Sequence, residues 1–151
     1  VAPDDQEYLM EAARWAATSG NRQARRFVLL DDPERIGSVV RAARMQDFVA
    51  DAGLLVFGIA VEKGSPGARA DVIISLTQLE MAAVERGLGT IWLGLWERDA
   101  VQRKLCVPDD MEVVLALAVG RAEECGIPRE KLSIRKLFLR DCLGQGSDSG
   151  T

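Results

Sequence analysis

The stretch Thr18-Ser19-Gly20-Asn21-Arg22-Gln23-Ala24-Arg25-Arg26 gathers two hydroxyls, two side-chain amides and three guanidinium groups. Hydroxyls and amides both donate and accept hydrogen bonds, and a hydrophobic core needs none of them. Such a set suits the polar edge of a bound ligand. Asn21 and Gln23 lie two apart, so an extended chain would turn both to one side, whereas a helix would splay them by about 200°. The expectation is that residues 19 to 24 are not helical and that Thr18, Asn21 and Gln23 face a cleft completed by a second copy of the chain. The other reading is a C-cap of the preceding helix, with Gly20 taking the left-handed turn among solvated neighbours. On spacing alone both stay open.

The 151 residues contain no histidine. Ser-His-Asp and Cys-His nucleophile systems are thereby excluded, as is the side chain that most often moves protons near neutral pH. An enzyme built this way would draw its reactive atoms from a bound cofactor. Cys106, Cys125 and Cys142 are odd in number and irregularly spaced. Without histidine they cannot build a Cys/His zinc site, and they read as unlinked structural thiols in a reducing cytoplasm. The net charge of −4 and the pI near 5.0 argue against broad nucleic-acid binding, which relies on clustered Lys and Arg. With 48% hydrophobic and 28% charged residues and no apolar run near the length of a span, the composition is that of a soluble globular protein. It shows no transmembrane helix and no signal peptide.

These groups must be positioned by the elements around them. Residues 4 to 17 carry Tyr8, Leu9, Ala12, Ala13, Trp15 and Ala16 at helical spacing after a Pro3-Asp4-Asp5 start, predicting an amphipathic helix. Phe27 to Leu30 reads as a short strand, and residues 33 to 45 as a helix after Asp31-Asp32. The continuous run from Gly53 to Val61 predicts a strand covered on both faces, central in its sheet. Lys63 to Gly67 reads as a loop, and Ala68 to Arg86 as a long helix buried on most sides. Thr90 to Leu95 and Val113 to Val119 supply two more buried strands around a short helix, Asp99 to Leu105, that stops before Pro108. Four strands interleaved with helices predict a single three-layer α/β or α+β sandwich over residues 1–143. The segment 144–151 is flexible by composition.

Several stretches in order resemble one family. The segment EAARWAATSGNRQARRFVLLDDPE resembles the start of nitroreductase-family flavoproteins, where a helix of the form A-R-x-A-P-S leads to N-x-Q-P-W-x-F and a strand; Asn21, Gln23 and Phe27 match it. QLEMAAVERGLGTIWLGLWERDAVQRKLCVPDDMEVVLALAVGRAEE resembles the family's long helix, its G-L-G-T-x-W-x-G strand, its short helix and its last core strand. PREKLS is similar to the family's basic P-R-K-P-L-S segment. The sequence also departs from the pattern. No R-R-S-x-R segment, whose arginines and serine hold the cofactor phosphate in the family, precedes the first helix. Ala24-Arg25 stands where the family has Pro-Trp, and Ala17 where it has Pro.

The resemblance implies a mainly antiparallel sheet of about four strands flanked by helices. It also implies a cytoplasmic homodimer with FMN at the subunit interface and NAD(P)H as electron donor. A nitroaromatic, quinone or similar small molecule would be the acceptor in a ping-pong cycle through flavin N5, with no nucleic-acid or membrane partner. On this likeness Thr18, Ser19, Asn21 and Gln23 would bond the ribityl chain or pyrimidine edge of the partner's flavin. Trp92, Leu93 and Gly94 would bring backbone amides to the ring, and Arg129 and Lys131 would pair with the phosphate. No side chain is expected to be catalytic in itself. The alternative is a dimer of the same fold that has lost its flavin and serves as a binding or scaffold protein.

Overall fold

A computed structural model describes residues 1–123, 126–127 and 129–139. Cys125, Cys142 and the segment 144–151 lie outside the described residues. The elements are α1 (Pro3–Trp15), β1 (Arg25–Leu30), α2 (Pro33–Ala42), β2 (Leu54–Ala60), α3 (Pro66–Glu85), β3 (Gly89–Leu93), α4 (Arg98–Lys104), β4 (Glu112–Gly120) and α5 (Ile134–Leu137). Single 3-10 turns occupy Ser19–Asn21 and Asp47–Asp51.

Local chemistry sets the helix ends. Pro3 opens α1 with Asp4 and Asp5 in its first turn, where the positive end of the macrodipole favours acids. The Asp32 carboxylate accepts the Arg35 backbone N–H at 2.8 Å and caps α2. Helix α1 ends at Trp15 rather than 17 and β1 starts at Arg25 rather than Phe27, and three further boundaries depart from the sequence expectation for local reasons. Helix α2 stops at Ala42 rather than 45, because Arg44 turns left-handed (φ 52°) and the Met45 N–H folds back onto the Val40 carbonyl at 3.0 Å. Pro66 opens α3 inside the expected loop, since proline's missing N–H costs nothing in a first turn. Strand β3 ends at Leu93, and Leu95 is 94% exposed instead of buried.

The sheet order is β1-β2-β4-β3, and every neighbouring pair is antiparallel. Helices α1 and α3 cover one face through Leu54, Val56, Leu117 and Val119. Helices α2 and α4 and the turn at 47–51 cover the other through Leu55, Phe57, Ala116 and Ala118. All seven residues of β2 are buried, which accounts for its unbroken apolar sequence: a strand covered on both sides loses its period of two. The result is the three-layer α+β sandwich expected from the sequence.

Gly58 explains how closely α3 approaches. A Cβ there would lie 2.3 Å from Val72 Cγ1 and 3.0 Å from Leu76 Cδ1, so only glycine lets the helix seat at this depth. The expectation that α3 is buried on most sides holds for one half of its circumference. Val72, Leu76, Leu79 and Ala83 are buried, but Ile73, Ile74, Met81 and Val84 stand exposed on the outer face.

Candidate functional site

The pairing register brings several loops to one end of the sheet. Arg25 at the start of β1 lies opposite Ala60 at the end of β2, and Ala60 opposite Glu112 at the start of β4. Strand β3 runs toward the same end and stops at Leu93, opposite Ala116. The 18–24 loop, the first turn of α3 and the residues after β3 therefore share this end. The first and last of these sit at opposite edges, and two intervening strands separate them by about 14 Å at the usual strand spacing.

The 18–24 loop is tightly wound, which corrects the expectation of an extended, non-helical segment. Ser19–Asn21 forms one 3-10 turn. Gly20 (φ 55°), Asn21 (φ 55°) and Gln23 (φ 53°) are all left-handed. Left-handed backbone is uncommon outside glycine, with Asn the most tolerant of the others. The two-apart spacing of Asn21 and Gln23 thus does not work by strand alternation. The Gln23 N–H donates to Thr18 Oγ1 at 3.2 Å, and the Gln23 amide makes a long contact of 3.5 Å with the Asn21 carbonyl. Among the described residues the side chains of Ser19 and Asn21 have no hydrogen-bond partner, and both residues are exposed. Thr18 keeps its hydroxyl proton to donate.

Gly20 does not cap the first helix either. Helix α1 ends at Trp15, and its C-terminal carbonyls are taken by Arg25, whose Nη2 donates to Ala13 O (3.2 Å), Arg14 O (3.1 Å) and Ala16 O (3.1 Å). A guanidinium at a helix C-terminus offsets both the orphan carbonyls and the negative end of the dipole. Arg25 is only 7% exposed. Burial pushes its pKa down from the ordinary value, and the charge of Asp71 opposes that shift. Arg26, by contrast, is exposed and donates to the carbonyls of Gln23 and Arg25. Asp71, in the second turn of α3, is 2% exposed and accepts the Ser19 N–H at 3.0 Å.

On the far edge, Trp92 is half-buried against the α3 side and Leu93 is buried in the opposite core. Gly94 is exposed, and a Cβ there would meet Leu115 Cδ2, the tip of a flexible side chain, at 3.0 Å. Trp96, which the sequence did not single out, packs edge-on against Phe57 at 6.0 Å and buries an indole N–H with no partner among the described residues. Arg129 and Lys131 are exposed and form no ion pair among the described residues. The nine expected residues therefore divide into one organised loop, one strand end across the sheet and two solvated cations. Sequence reasoning singles out neither Asp71 nor Trp96, and Arg25, read there for its charge, holds the end of α1 instead. Asp71 carried a signal, being an acid inside an otherwise apolar helix segment.

Residues 38–121, more than half of the chain, match the nitroreductase family model. The chain therefore belongs to the nitroreductase family, and its class is that of a nitroreductase-type oxidoreductase. A protein of Archaeoglobus fulgidus named as an NADH dehydrogenase/NAD(P)H nitroreductase is 23% identical over 128 residues, covering 80% of this chain and 74% of the relative. Among solved structures, an FMN-dependent nitroreductase of Clostridium difficile superposes with a TM-score of 0.83 at 19% identity, over 94% of this chain and 90% of that one. The NfrA1 nitroreductase of Bacillus subtilis gives 0.89 at 20% identity, over 98% and 69%. At such identities these structures establish the shared fold.

Proposed function

We propose that this protein is an FMN-dependent NAD(P)H oxidoreductase that reduces nitroaromatic, quinone or similar small acceptors, working as a homodimer. The observation that carries the reading is the 18–24 loop. Three left-handed residues within four positions hold the Asn21 amide and the neighbouring Ser19 hydroxyl, which the described chain leaves unengaged, and backbone held in sparsely populated regions clusters at ligand sites. Free donors and acceptors of this kind fit the ribityl and pyrimidine edge of a flavin. Thr18, Ser19, Asn21 and Gln23 would orient that edge, backbone amides of Trp92, Leu93 and Gly94 would face the ring, and Arg129 and Lys131 would meet the phosphate. Because the loop and the β3 end lie at opposite sheet edges, a site using both is served best by loops of two chains.

The chemistry supplied by bound FMN is hydride acceptance from NADH or NADPH and delivery to the acceptor in a second, ping-pong half-reaction. The protein's share is orientation, exclusion of water and amide dipoles set against developing charge. That division suits a sequence without histidine. Purified protein is expected to be yellow, or to take up added FMN, and then to oxidise NADH or NADPH in the presence of a quinone. A colourless preparation that binds no FMN would overturn the proposal. It would favour the second reading, a flavin-free binding or scaffold dimer, which is supported by the intrachain core packing of the Leu93 side chain. Cytoplasmic location belongs to the same proposal.

A further inference from the structure

Beneath the 18–24 loop lie two buried ions of opposite sign with unfinished hydrogen bonding. Asp71 Oδ2 and the Nε and Nη1 atoms of Arg25 are buried without a partner among the described residues. Their other atoms are engaged at the two ends of one segment. Asp71 Oδ1 holds the Ser19 N–H, while Arg25 Nη2 holds the last carbonyls of α1. Burying a charge is costly unless it is hydrogen-bonded or paired; Arg25 is offset in part by the carbonyls that end α1, whereas Asp71 has as its side-chain partner only the loop's Ser19 N–H among the described residues. Asp71 is itself anchored, since the Ser75 hydroxyl donates to its backbone carbonyl at 2.8 Å within α3.

Resting on the flavin reading above, we infer that Asp71 is a positioning residue for the cofactor: its carboxylate ties Ser19 to α3 and so fixes the left-handed turn that presents Ser19 and Asn21. Arg25 holds the other end of the segment against α1. The turn at 19–21 has only two backbone hydrogen bonds of its own, Asn21 N–H to Thr18 O and Arg22 N–H to Ser19 O. Three left-handed residues need an outside restraint of this kind to stay populated. The Coulomb attraction between Asp71 and Arg25 in a poorly solvated setting supports the arrangement.

Two measurements test the inference: amide hydrogen exchange of the loop in flavin-free protein, and titration with FMN followed by flavin fluorescence. Asp71→Ala is expected to speed exchange of the 18–24 amides and to weaken FMN binding, each by about tenfold or more. Asp71→Asn, whose side-chain oxygen still accepts from Ser19, is expected to keep both within about threefold of the parent, a rescue that loss of general stability would not follow. Ser19→Pro deletes the donor while leaving both buried ions in place, and Ser19→Ala, which keeps the N–H and loses only the hydroxyl, is the reference for its FMN affinity. Proline suits a first helical position after extended Thr18, and Ser19→Pro should repeat the Asp71→Ala result should that variant fail to fold. Unchanged exchange in Ser19→Pro, or faster exchange with unchanged FMN affinity, would overturn the positioning role and leave the flavin reading standing. Parent protein that binds no FMN while Asp71→Ala and Ser19→Pro free the loop would remove the flavin reading and leave Asp71 as the residue that holds the turn.

Discussion

Asn21 is the residue at which ligand contact and backbone geometry can be separated. Its side chain is unengaged in the described chain and its φ is 55°, so an alanine there removes the amide and also the short polar side chain that makes asparagine more tolerant of left-handed backbone than alanine, at about 1 kcal/mol. Glycine removes the amide without that strain. Asn21→Ala and Asn21→Gly are therefore both expected to weaken FMN binding by about 1 kcal/mol, while only the alanine variant melts lower, by about 2–4 °C. Paired melting curves and FMN titrations check this, and equal affinities in all three proteins would remove Asn21 from the site. The exposed cations make a second test. If Arg129 and Lys131 meet a phosphate, replacing both by Ala removes charge-assisted bonds worth about 1.5–3 kcal/mol each, so FMN affinity should fall at least about tenfold with folding intact. Unchanged affinity would mark them as solvated surface.

At the scale of elements, the sandwich depends on how deeply α3 seats against β2. Gly58 sets that depth, because an added methyl would overlap Val72 and press on Leu76. Both contacts belong to buried side chains of a helix held along its length, so there is little room for them to yield. Gly58→Ala is expected to destabilise the fold by about 1–3 kcal/mol through overpacking, measured as a lower urea midpoint with an unchanged slope. An unaffected midpoint would mean that the α3 layer shifts freely. The end of α1 shows a different device. No glycine follows it in the usual C-cap position; a guanidinium from the next strand takes up its carbonyls instead. The first helix, the loop and β1 are thereby joined by one side chain.

For the whole molecule, the deciding feature is the apolar side of α3 that the described chain leaves uncovered. Ile73, Met81 and Val84 recur at helical spacing and are 41%, 64% and 58% exposed, a stripe about 16 Å long at 1.5 Å per residue. Apolar patches of this kind on a small domain mark association surfaces. The protein is expected to sediment as a homodimer at micromolar concentration. The double variant Ile73→Glu, Met81→Glu should sediment as a monomer and lose FMN, because a charge in an apolar interface carries an uncompensated desolvation cost. A folded parent monomer would sink both the dimer and the two-chain site.

Sequence alone determined the layers and the class. The unbroken apolar run of β2 and the helical spacing of α1 are local patterns set by side-chain period, and the ordered motifs from the first helix to PREKLS carried the family likeness. The missing histidine excluded Ser-His-Asp and Cys-His nucleophile systems from the sequence alone. Tertiary structure alone decided the strand order, which joins β2 to β4 past β3, because pairing is chosen among residues far apart in the chain. It also decided the hand of Asn21 and Gln23 and the work of Arg25 and Asp71. Ser19 and Asp71 are 52 positions apart, and no local period reports such a contact. Whether a charged side chain is solvated or becomes a buried restraint depends on what packs over it, and packing exists only once the chain has folded.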